Sequence, residues 1–238
     1  MAKWQERAVL LFKEEGMNKL TNANVLVVGL GGVGSFAAEF LARAGVGNMT
    51  IVDGDTVDIT NVNRQLPALH STVGQPKVKV VGDRLLDINP ELKLTRIEEF
   101  LSPERAFELV TPEFDYVLDC IDSVTPKLNL ILAAKRKKVK VISNMGAGGK
   151  YEASKVTVRD ISKTEYCPLA KNMRKRLKAE GINKGVKAVY STERPDITSV
   201  KLTDGKNYKK SFYGTNSWMP ALFGLHAAET VVKYLIKK

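Results

Sequence analysis

A glycine-rich turn between an apolar run and a helix is the feature of this sequence that most restricts how the chain can fold. Residues 24–28, NVLVV, have the continuous β-branched pattern of a parallel strand buried on both faces. A GxGxxG pattern follows at 29–34, and residues 35–44 have a helical pattern. Glycines at such a turn allow a tight bend and a close approach of the backbone to a phosphate, which the amides at the helix N-terminus then face. The sequence therefore predicts a phosphate-binding turn that includes Gly29, Gly31, Gly32 and Gly34.

Strand and helix patterns alternate through the first 150 residues. Further strands are predicted at 49–53, 92–97, 116–120 and 139–143, and further helices at 76–89, 103–110 and 126–136. Five strands separated by helices are typical of an α/β fold with a Rossmann-like, doubly wound and mostly parallel sheet. We expect residues 1–150 to form the nucleotide-binding core of a single domain that spans residues 1–238.

The last third of the chain has a looser pattern. Short strand patterns at 155–158 and 188–191 flank a basic helix at 168–180, and a final helix is predicted at 216–236. We expect residues 151–238 to be a basic C-terminal elaboration of the same sheet and not a second core.

The charge of the chain is divided unevenly between its halves. The net charge is +11; residues 1–119 carry 12 basic and 17 acidic side chains, whereas residues 120–238 carry 25 basic and 9 acidic ones. A strongly basic half is typical of a surface that binds a polyanion, because neutralisation of phosphates supplies most of the affinity for nucleic acids. The alternative is a lysine-rich surface that only faces solvent.

The cysteine content and the hydropathy of the chain argue against a disulfide-rich, an exported or a membrane-spanning protein. Cys120 and Cys167 are too few for a disulfide framework or a four-cysteine zinc site, and indicate a reducing compartment. Residues 1–19 lack the apolar segment of an export signal. Polar residues interrupt the longest apolar stretches, 25–42 and 218–236, so neither is predicted to span a membrane. We expect a cytoplasmic protein.

Polar residues follow the predicted strands at the edge of the sheet where the glycine turn lies. Asp53, 19 residues after Gly34, is placed to accept hydrogen bonds from ribose hydroxyls. Asp122 follows the fourth strand and is placed to hold Mg²⁺. The glycine turn and Asp53 are expected both in enzymes that bind NAD and in enzymes that bind ATP, so they do not distinguish the two classes.

The loop after the second strand favours ATP. Arg64 lies in this loop and Lys77 begins the next predicted helix. A nicotinamide pocket has no use for an arginine here, whereas a triphosphate needs cations, and the planar guanidinium fork matches phosphate oxygens. The alternative is that Arg64 and Lys77 form surface ion pairs with Asp55 and Asp58.

Four motifs together resemble the adenylating enzymes of the ubiquitin-activating superfamily, the MoeB, ThiF and HesA type. They are GxGGVGS, DxDxVxxTNxNRQ, the lysine after Gly-Gln-Pro, and DCIDS, and the resemblance covers about residues 4–150. It implies a homodimer in which ATP and Mg²⁺ promote attack of a carboxylate on the α-phosphate. It also implies that Arg7 reaches the γ-phosphate in the partner protomer. The residues implied to bind ATP and Mg²⁺ are Gly31, Asp53, Asp55, Asn61, Arg64, Gln65, Lys77 and Asp122.

The second half resembles one branch of this superfamily, the tRNA threonylcarbamoyladenosine dehydratases. The resemblance rests on KTEYCPLA at 163–170, on Arg174 and Leu177, and on YSTE at 190–193, together with the absence of the two CxxC pairs that members activating sulfur-carrier or ubiquitin-like proteins commonly carry. It implies that ATP is used to cyclise the threonylcarbamoyl group on the adenosine beside the anticodon of tRNA. The sequence does not specify whether helper proteins take part.

The predicted basic helix supports a tRNA partner independently. Lys171, Arg174, Lys175 and Lys178 recur on one face, where like charges repel each other and favour an external anion. A helix face that only meets solvent is the alternative.

Cys167, just before this helix, is a candidate nucleophile only if the enzyme passes an acyl group to a distant acceptor. The competing functions are adenylation of a small protein's C-terminal carboxylate, a catalytically silent nucleotide-binding adaptor, and a nicotinamide dehydrogenase.

Overall fold

The computed structural model describes residues 2–202 and 211–238, and the elements below lie in that part of the chain. The helices are α1 (Glu6–Asn22), α2 (Gly34–Ala44), α3 (Lys77–Ile88), α4 (Pro103–Leu109), α5 (Val124–Arg136), α6 (Pro168–Ala179) and α7 (Trp218–Leu235). The strands are β1 (Asn24–Val28), β2 (Asn48–Val52), β3 (Lys93–Ile97), β4 (Tyr116–Asp119), β5 (Lys140–Asn144), β6 (Val156–Asp160), β7 (Lys187–Ser191), β8 (Val200–Leu202) and β9 (Ser211–Tyr213).

Seven of these strands form one sheet in the order β3-β2-β1-β4-β5-β7-β6, and β8 pairs separately with β9. Neighbouring strands from β3 to β7 are parallel, and β6 at the edge is antiparallel to β7. The order reverses between β1 and β4, where the chain crosses from one half of the sheet to the other. In open sheets of this kind, ligands bind in the crevice at the carboxyl ends of the strands beside such a reversal.

Helices cover both faces of the sheet and close two apolar cores. One core includes buried residues of α1, α2, α3 and α7, and the other includes buried residues of α4, α5 and α6. Four of the five residues of β1 are buried, and alternate ones belong to opposite cores, as the continuous apolar run predicts. Among the described helices, none has both the length and the apolar character needed to cross a bilayer.

Helix α7 packs directly on the turn that begins α2. An added Cβ at Gly224 would lie 2.4 Å from the carbonyl oxygen of Val33, so the two helices approach at backbone distance. Phe223 and Met219 are fully buried in this contact region. The C-terminal helix α7 therefore packs against the glycine turn and the first turn of α2.

The predicted fold class is confirmed: the sheet is doubly wound, mostly parallel and flanked by helices. Several predicted boundaries were wrong by one or two residues, and two of these errors involve prolines. Pro76 is not the first helical residue but the extended residue before α3, whereas α5 begins two residues before Pro126. Strands β6 and β7 extend the sheet of the first half. The functional division at residue 150 stays a prediction.

Candidate active site

The glycine turn after β1 has the geometry that the sequence predicts. Gly29 has φ +89°, a left-handed conformation that side chains disfavour. An added Cβ at Gly34 would lie 1.7 Å from the carbonyl oxygen of Gly29, closer than any two such atoms can approach. At Gly32 the same atom would lie 2.9 Å from Pro220 in α7. Close packing of the turn on itself and on α7 thus requires these glycines.

Gly31 is different, because packing against the protein does not explain it. The nearest atom of the described chain to an added Cβ is Nε2 of Gln65, at 3.7 Å. The other polar atom of that side chain, Oε1, is buried and finds no hydrogen-bond partner among the described residues. A Cβ at Gly31 would be tolerated by the protein, and a buried acceptor without a partner is unusual. Both observations fit a polar ligand that lies near Gly31 and donates a hydrogen bond to Gln65.

Gly31→Ala is expected to weaken ATP binding about tenfold, roughly 1.4 kcal/mol, while the free energy of unfolding changes little. The added methyl group would lie where we expect the nucleotide, and the atoms of the described chain near it belong only to the Gln65 side chain. Calorimetry with Mg-ATP and urea unfolding measure the two effects. Gly34→Ala is the matched control, and is expected to lower the unfolding free energy by about 1–3 kcal/mol. Equal ATP affinity in wild type and Gly31→Ala would contradict the assignment.

Asp53, directly after β2, ties the glycine turn to the next loop. Its Oδ2 accepts a hydrogen bond from the amide of Leu30 at 2.5 Å and its Oδ1 accepts one from the amide of Asp55 at 2.8 Å. Burial raises the pKa of this carboxyl group, and the Lys77 ammonium and the two amides oppose that rise. Each carboxylate oxygen has a second acceptor position, which suits it to the ribose hydroxyls expected there.

Lys77 and Asp55 form an ion pair beside Asp53. Lys77 Nζ lies 2.9 Å from Asp55 Oδ2, and the Lys77 side chain is only 6% exposed whereas that of Asp55 is half-exposed. The ion pair that the alternative interpretation expected for Lys77 is thus present, but its ammonium group is buried at the carboxyl edge of the sheet. Little water screens the charge of a buried ammonium, and two carboxylates already face this one. A phosphate would therefore have to share or replace the contact of Lys77 with Asp55.

The loop between β2 and α3 holds Arg64 over the same edge. Arg64 Nη1 donates to the carbonyl of Thr60 at 2.9 Å and to Oδ1 of Asn63 at 2.8 Å. The carbonyl of Asn61, a buried residue, accepts hydrogen bonds from the amides of Arg64 and Gln65 at 3.0 Å each. These hydrogen bonds fix the turn from which the neighbouring side chains of Arg64 and Gln65 project.

Asp122 lies on the other side of the reversal, in the loop after β4, and its charge acts on Arg64. Burial lowers the pKa of the Arg64 guanidinium, and the Asp122 carboxylate opposes that effect. Within the described residues, no three His, Cys, Asp or Glu side chains form a metal-binding group. Mg²⁺ commonly binds through one or two carboxylates together with substrate phosphates. Exposed Asp122 fits a metal that arrives with the nucleotide.

Below this loop lies a buried polar cluster that sequence reasoning did not find. Lys127 Nζ lies 2.7 Å from Asp119 Oδ2, 3.2 Å from Ser143 Oγ and 2.9 Å from the carbonyl of Asn144. The side chains of Lys127 and Asp119 are both 0% exposed. Asp119 also accepts the amide of Ile121 at 3.1 Å, so the cluster anchors the loop that carries Asp122. The sequence pattern of α5 does not indicate that the charge of Lys127 is buried.

The basic face of α6 is only partly as predicted. Three of its lysines are exposed: Lys171, Lys175 and Lys178. Arg174 is half-buried, and its Nη1 donates to the carbonyl of Thr164 at 2.7 Å and to the hydroxyl of the same residue. Arg174 therefore holds the segment before α6, and the lysines are the residues of this face that a polyanion reaches freely.

The remaining candidates lie in different surroundings. Arg7 is exposed near the start of α1, one turn before exposed Leu10 and Leu11. Cys167 is 4% exposed and belongs to the core under α6. Cys120 lies just after β4, not inside it, and burial raises the pKa of its thiol to about 12. Its thiol therefore stays protonated at neutral pH and is a weak nucleophile.

A doubly wound sheet that has a glycine turn, a carboxylate bound to that turn and two cations at one edge is typical of nucleotide-binding proteins of the α/β class. The chain belongs to the ThiF family, whose model matches residues 5–238. It is 41% identical to the tRNA threonylcarbamoyladenosine dehydratase of Bacillus subtilis, over 97% of this chain and 94% of that protein.

Two further comparisons place the chain within the family. The Escherichia coli tRNA N6-threonylcarbamoyladenosine dehydratase in complex with ATP matches with a TM-score of 0.89 and 35% identity, over 100% of this chain and 96% of that one. The molybdopterin-synthase adenylyltransferase of Escherichia coli is 39% identical but matches only 66% of this chain and 61% of its own length. The predicted resemblance to the superfamily, and within it to the dehydratases, is therefore confirmed.

Proposed function

We propose that this protein catalyses the ATP-dependent dehydration of threonylcarbamoyladenosine in tRNA through an acyl-adenylate. The main support for this proposal is that the dehydratases match the chain over nearly its whole length. The predicted ATP residues of the glycine turn and of the loops after β2 and β4 also lie at one edge of the sheet. The threonyl carboxylate would attack the α-phosphorus of ATP, and the bond to pyrophosphate would break. The ureido nitrogen would then attack the activated carbonyl carbon and lose its proton, and AMP would leave as the ring closes.

In this proposal the chain's residues position groups and offset charge, and no protein nucleophile is needed. The glycine turn receives phosphates on its amides, Asp53 holds the ribose, and Asn61 and Gln65 hold the loop around the nucleotide. Arg64 and Lys77 stabilise the charge that develops on the phosphates during attack. Bound Mg²⁺, with Asp122 as its protein ligand, would supply further neutralisation of the phosphates.

The direct test is conversion of tRNA that carries threonylcarbamoyladenosine, followed by mass spectrometry of the nucleosides. We expect loss of one water from the modified adenosine, with one AMP and one pyrophosphate formed for each product, only when Mg-ATP is present. NAD is expected neither to bind nor to support the reaction. Pyrophosphate release that depends on a small carrier protein and not on tRNA would overturn the proposal in favour of protein adenylation.

Charge reversal on α6 is expected to weaken tRNA binding and reduce its salt dependence. Lys171→Glu with Lys175→Glu removes two cations that we propose to contact phosphates, so the slope of log K against log salt should fall by about 2. ATP affinity should not change. Lys93→Glu is the matched control, because this exposed lysine begins β3 at the amino edge of the sheet, away from the proposed interface. An unchanged slope would mean that this helix face only meets solvent.

Cys167→Ala is expected to retain at least about a third of wild-type dehydratase activity, a loss below ~0.7 kcal/mol. The cysteine is buried in a core, and attack by a group already tethered to the adenylate needs no relay. Steady-state rates and mass spectrometry of the intact protein check this. A trapped thioester, or a thousandfold loss in a folded variant, would favour an acyl relay to a distant acceptor.

We further propose that the protein works as a cytoplasmic homodimer. Leu10 and Leu11 are 69% and 74% exposed on α1, and Arg7 precedes them by one turn. Exposed apolar residues that cluster in this way are typical of an interface between subunits. The Arg7 of one subunit would then reach the nucleotide of the other. Sedimentation of wild type and of Leu10→Ser with Leu11→Ser tests the dimer, and a wild-type monomer would overturn it.

A further inference from the structure

A second cavity, of about 440 Å³, opens at the carboxyl edge of the sheet beyond β5 and β7. It is a shallow depression that is more open to solvent than enclosed. Its lining includes Tyr151, Glu152, Lys155, Tyr166, Arg194 and Asp196. None of these residues belongs to the nucleotide site described above.

Two tyrosine rings form exposed walls of this cavity. Tyr151 is 66% exposed and Tyr166 is 48% exposed. The guanidinium carbon of Arg194 lies 5.0 Å from the centre of the Tyr166 ring, in cation–π contact. Aromatic rings and arginine planes are the surfaces on which unstacked bases of single-stranded RNA are held.

The backbone holds both tyrosines in place while their rings stay accessible. Tyr166 has φ +55° and lies in a tight turn closed by a hydrogen bond from the Cys167 amide to the Glu165 carbonyl at 2.7 Å. This is the strained form of a three-residue turn, and such strain is concentrated at ligand sites. The buried Glu193 carboxylate accepts the Tyr151 amide, at 3.1 Å, and the Trp218 indole donates to the Tyr151 carbonyl at 3.0 Å.

The charges around the cavity favour a neutral ring over an anion. Lys155 is paired with Glu152 at 2.8 Å, and Arg194 lies over Tyr166. Glu193 and Asp196 add two further carboxylates to the lining, so a phosphate would meet repulsion. A flat, uncharged heterocycle fits better, because it avoids this repulsion and can stack on the exposed tyrosine rings.

One segment connects this cavity to the nucleotide site. Asn63, next to Arg64, donates from Nδ2 to the carbonyl of Thr215 at 2.9 Å. Asn216 donates to the carbonyl of Lys150 at 2.8 Å, and Trp218 contacts Tyr151 as described. On the other side, α6 with its exposed lysines begins two residues after Tyr166. The cavity therefore lies between the nucleotide loop and the basic helix.

We propose that this cavity binds one unstacked base of the tRNA anticodon loop, which stacks on the exposed Tyr151 ring beside the Tyr166–Arg194 pair. The proposal rests on the proposed function and adds a base-recognition site to it. The lysines of α6 would hold the phosphates, and the base pocket would set the position of the loop so that the modified adenosine reaches the ATP.

Tyr151→Ala tests the pocket, and Tyr151→Phe, which keeps the ring, is the matched control. We expect Tyr151→Ala to weaken binding of an anticodon stem-loop RNA about tenfold, because it removes a base-stacking contact, with no change in salt slope or in Mg-ATP affinity. Arg194→Gln is expected to weaken RNA binding several-fold, because it removes the guanidinium plane that lies over the Tyr166 ring at the other wall of the cavity. Tyr151→Phe should bind like wild type.

Fluorescence identifies the base. With 2-aminopurine placed in turn at each loop position, one position should be quenched on binding to wild type and not to Tyr151→Ala. Wild-type affinity and quenching in folded Tyr151→Ala and Arg194→Gln, with RNA still converted, would overturn the pocket and leave the proposed function standing. Wild-type protein that neither binds nor converts the RNA would overturn both.

Discussion

Arg64→Ala is expected to lower kcat for ATP-dependent dehydration about 100-fold, ~2.7 kcal/mol of transition-state stabilisation, without loss of the fold. The guanidinium is half-buried, is held by Thr60 and Asn63, and faces the carboxyl edge of the sheet where phosphates are proposed to bind. A positioned donor in such a site stabilises charge that develops only in the transition state. Single-turnover release of pyrophosphate measures the effect, and Lys77→Ala should reduce the same rate more than tenfold, over ~1.4 kcal/mol.

Two variants serve as controls for this prediction. Arg43→Ala removes a half-exposed arginine near the far end of α2, paired with Glu39, and is expected to keep wild-type rates. Arg64→Lys keeps the charge but not the planar fork, so its loss should be intermediate. Wild-type rates in both Arg64→Ala and Lys77→Ala would rule out the phosphate-clamp assignment.

The same variant tests whether Arg7 acts across a dimer. If Arg7 serves the partner's nucleotide, a mixed dimer of Arg7→Ala and Arg64→Ala contains one intact site and one site with both defects. Random mixing of the two inactive proteins should then restore about a quarter of wild-type activity, as two-fold symmetry requires. Activity that stays at the level of the separate variants would show that Arg7 does not act in this way.

Lys127→Ala is expected to lower the free energy of unfolding by about 3–5 kcal/mol. The ammonium group is completely buried and is the cation beside the equally buried Asp119 carboxylate. Its removal would leave a buried negative charge without its partner, which costs far more than the pair's net contribution. Urea unfolding followed by circular dichroism measures the loss.

Comparison with an exposed pair separates burial from charge pairing. Lys79 and Asp83 form an ion pair at 2.7 Å, with side chains 58% and 52% exposed. Lys79→Ala is expected to cost less than about 1 kcal/mol. Asp119→Asn combined with Lys127→Met removes both buried charges and should cost less than Lys127→Ala alone, as a double-mutant cycle would show. A loss in Lys127→Ala no larger than in Lys79→Ala would contradict the buried-charge explanation.

Much of the nucleotide site could be predicted from the sequence because its residues follow parallel strands that local patterns identify. Parallel strands bring their carboxyl ends to one edge, so Asp53 after β2 and Asp122 after β4 had to approach the glycine turn. The ion pair of Lys77 with Asp55 was foreseen only as an alternative, because spacing does not indicate whether an ammonium is buried or exposed.

Other features depended on contacts between residues far apart in the chain. Spacing placed Arg174 on the basic face of α6, yet it bonds to Thr164, because the preceding segment folds back beside the helix. Likewise, Lys127 meets Ser143 only because β4 and β5 are neighbours in the sheet. The base pocket brings Tyr151, Tyr166 and Arg194 together from three separate loops.

The sequence by itself determined the doubly wound sheet, the glycine turn and the family, because periodicity, steric limits at glycine and short motifs are local properties of the chain. Only the tertiary structure decided which charges are buried, which lysines face solvent and where a second cavity opens. The physical reason is that the free energy of a charged or aromatic side chain depends on its surroundings. Those surroundings come from elements that the chain brings together only when it folds.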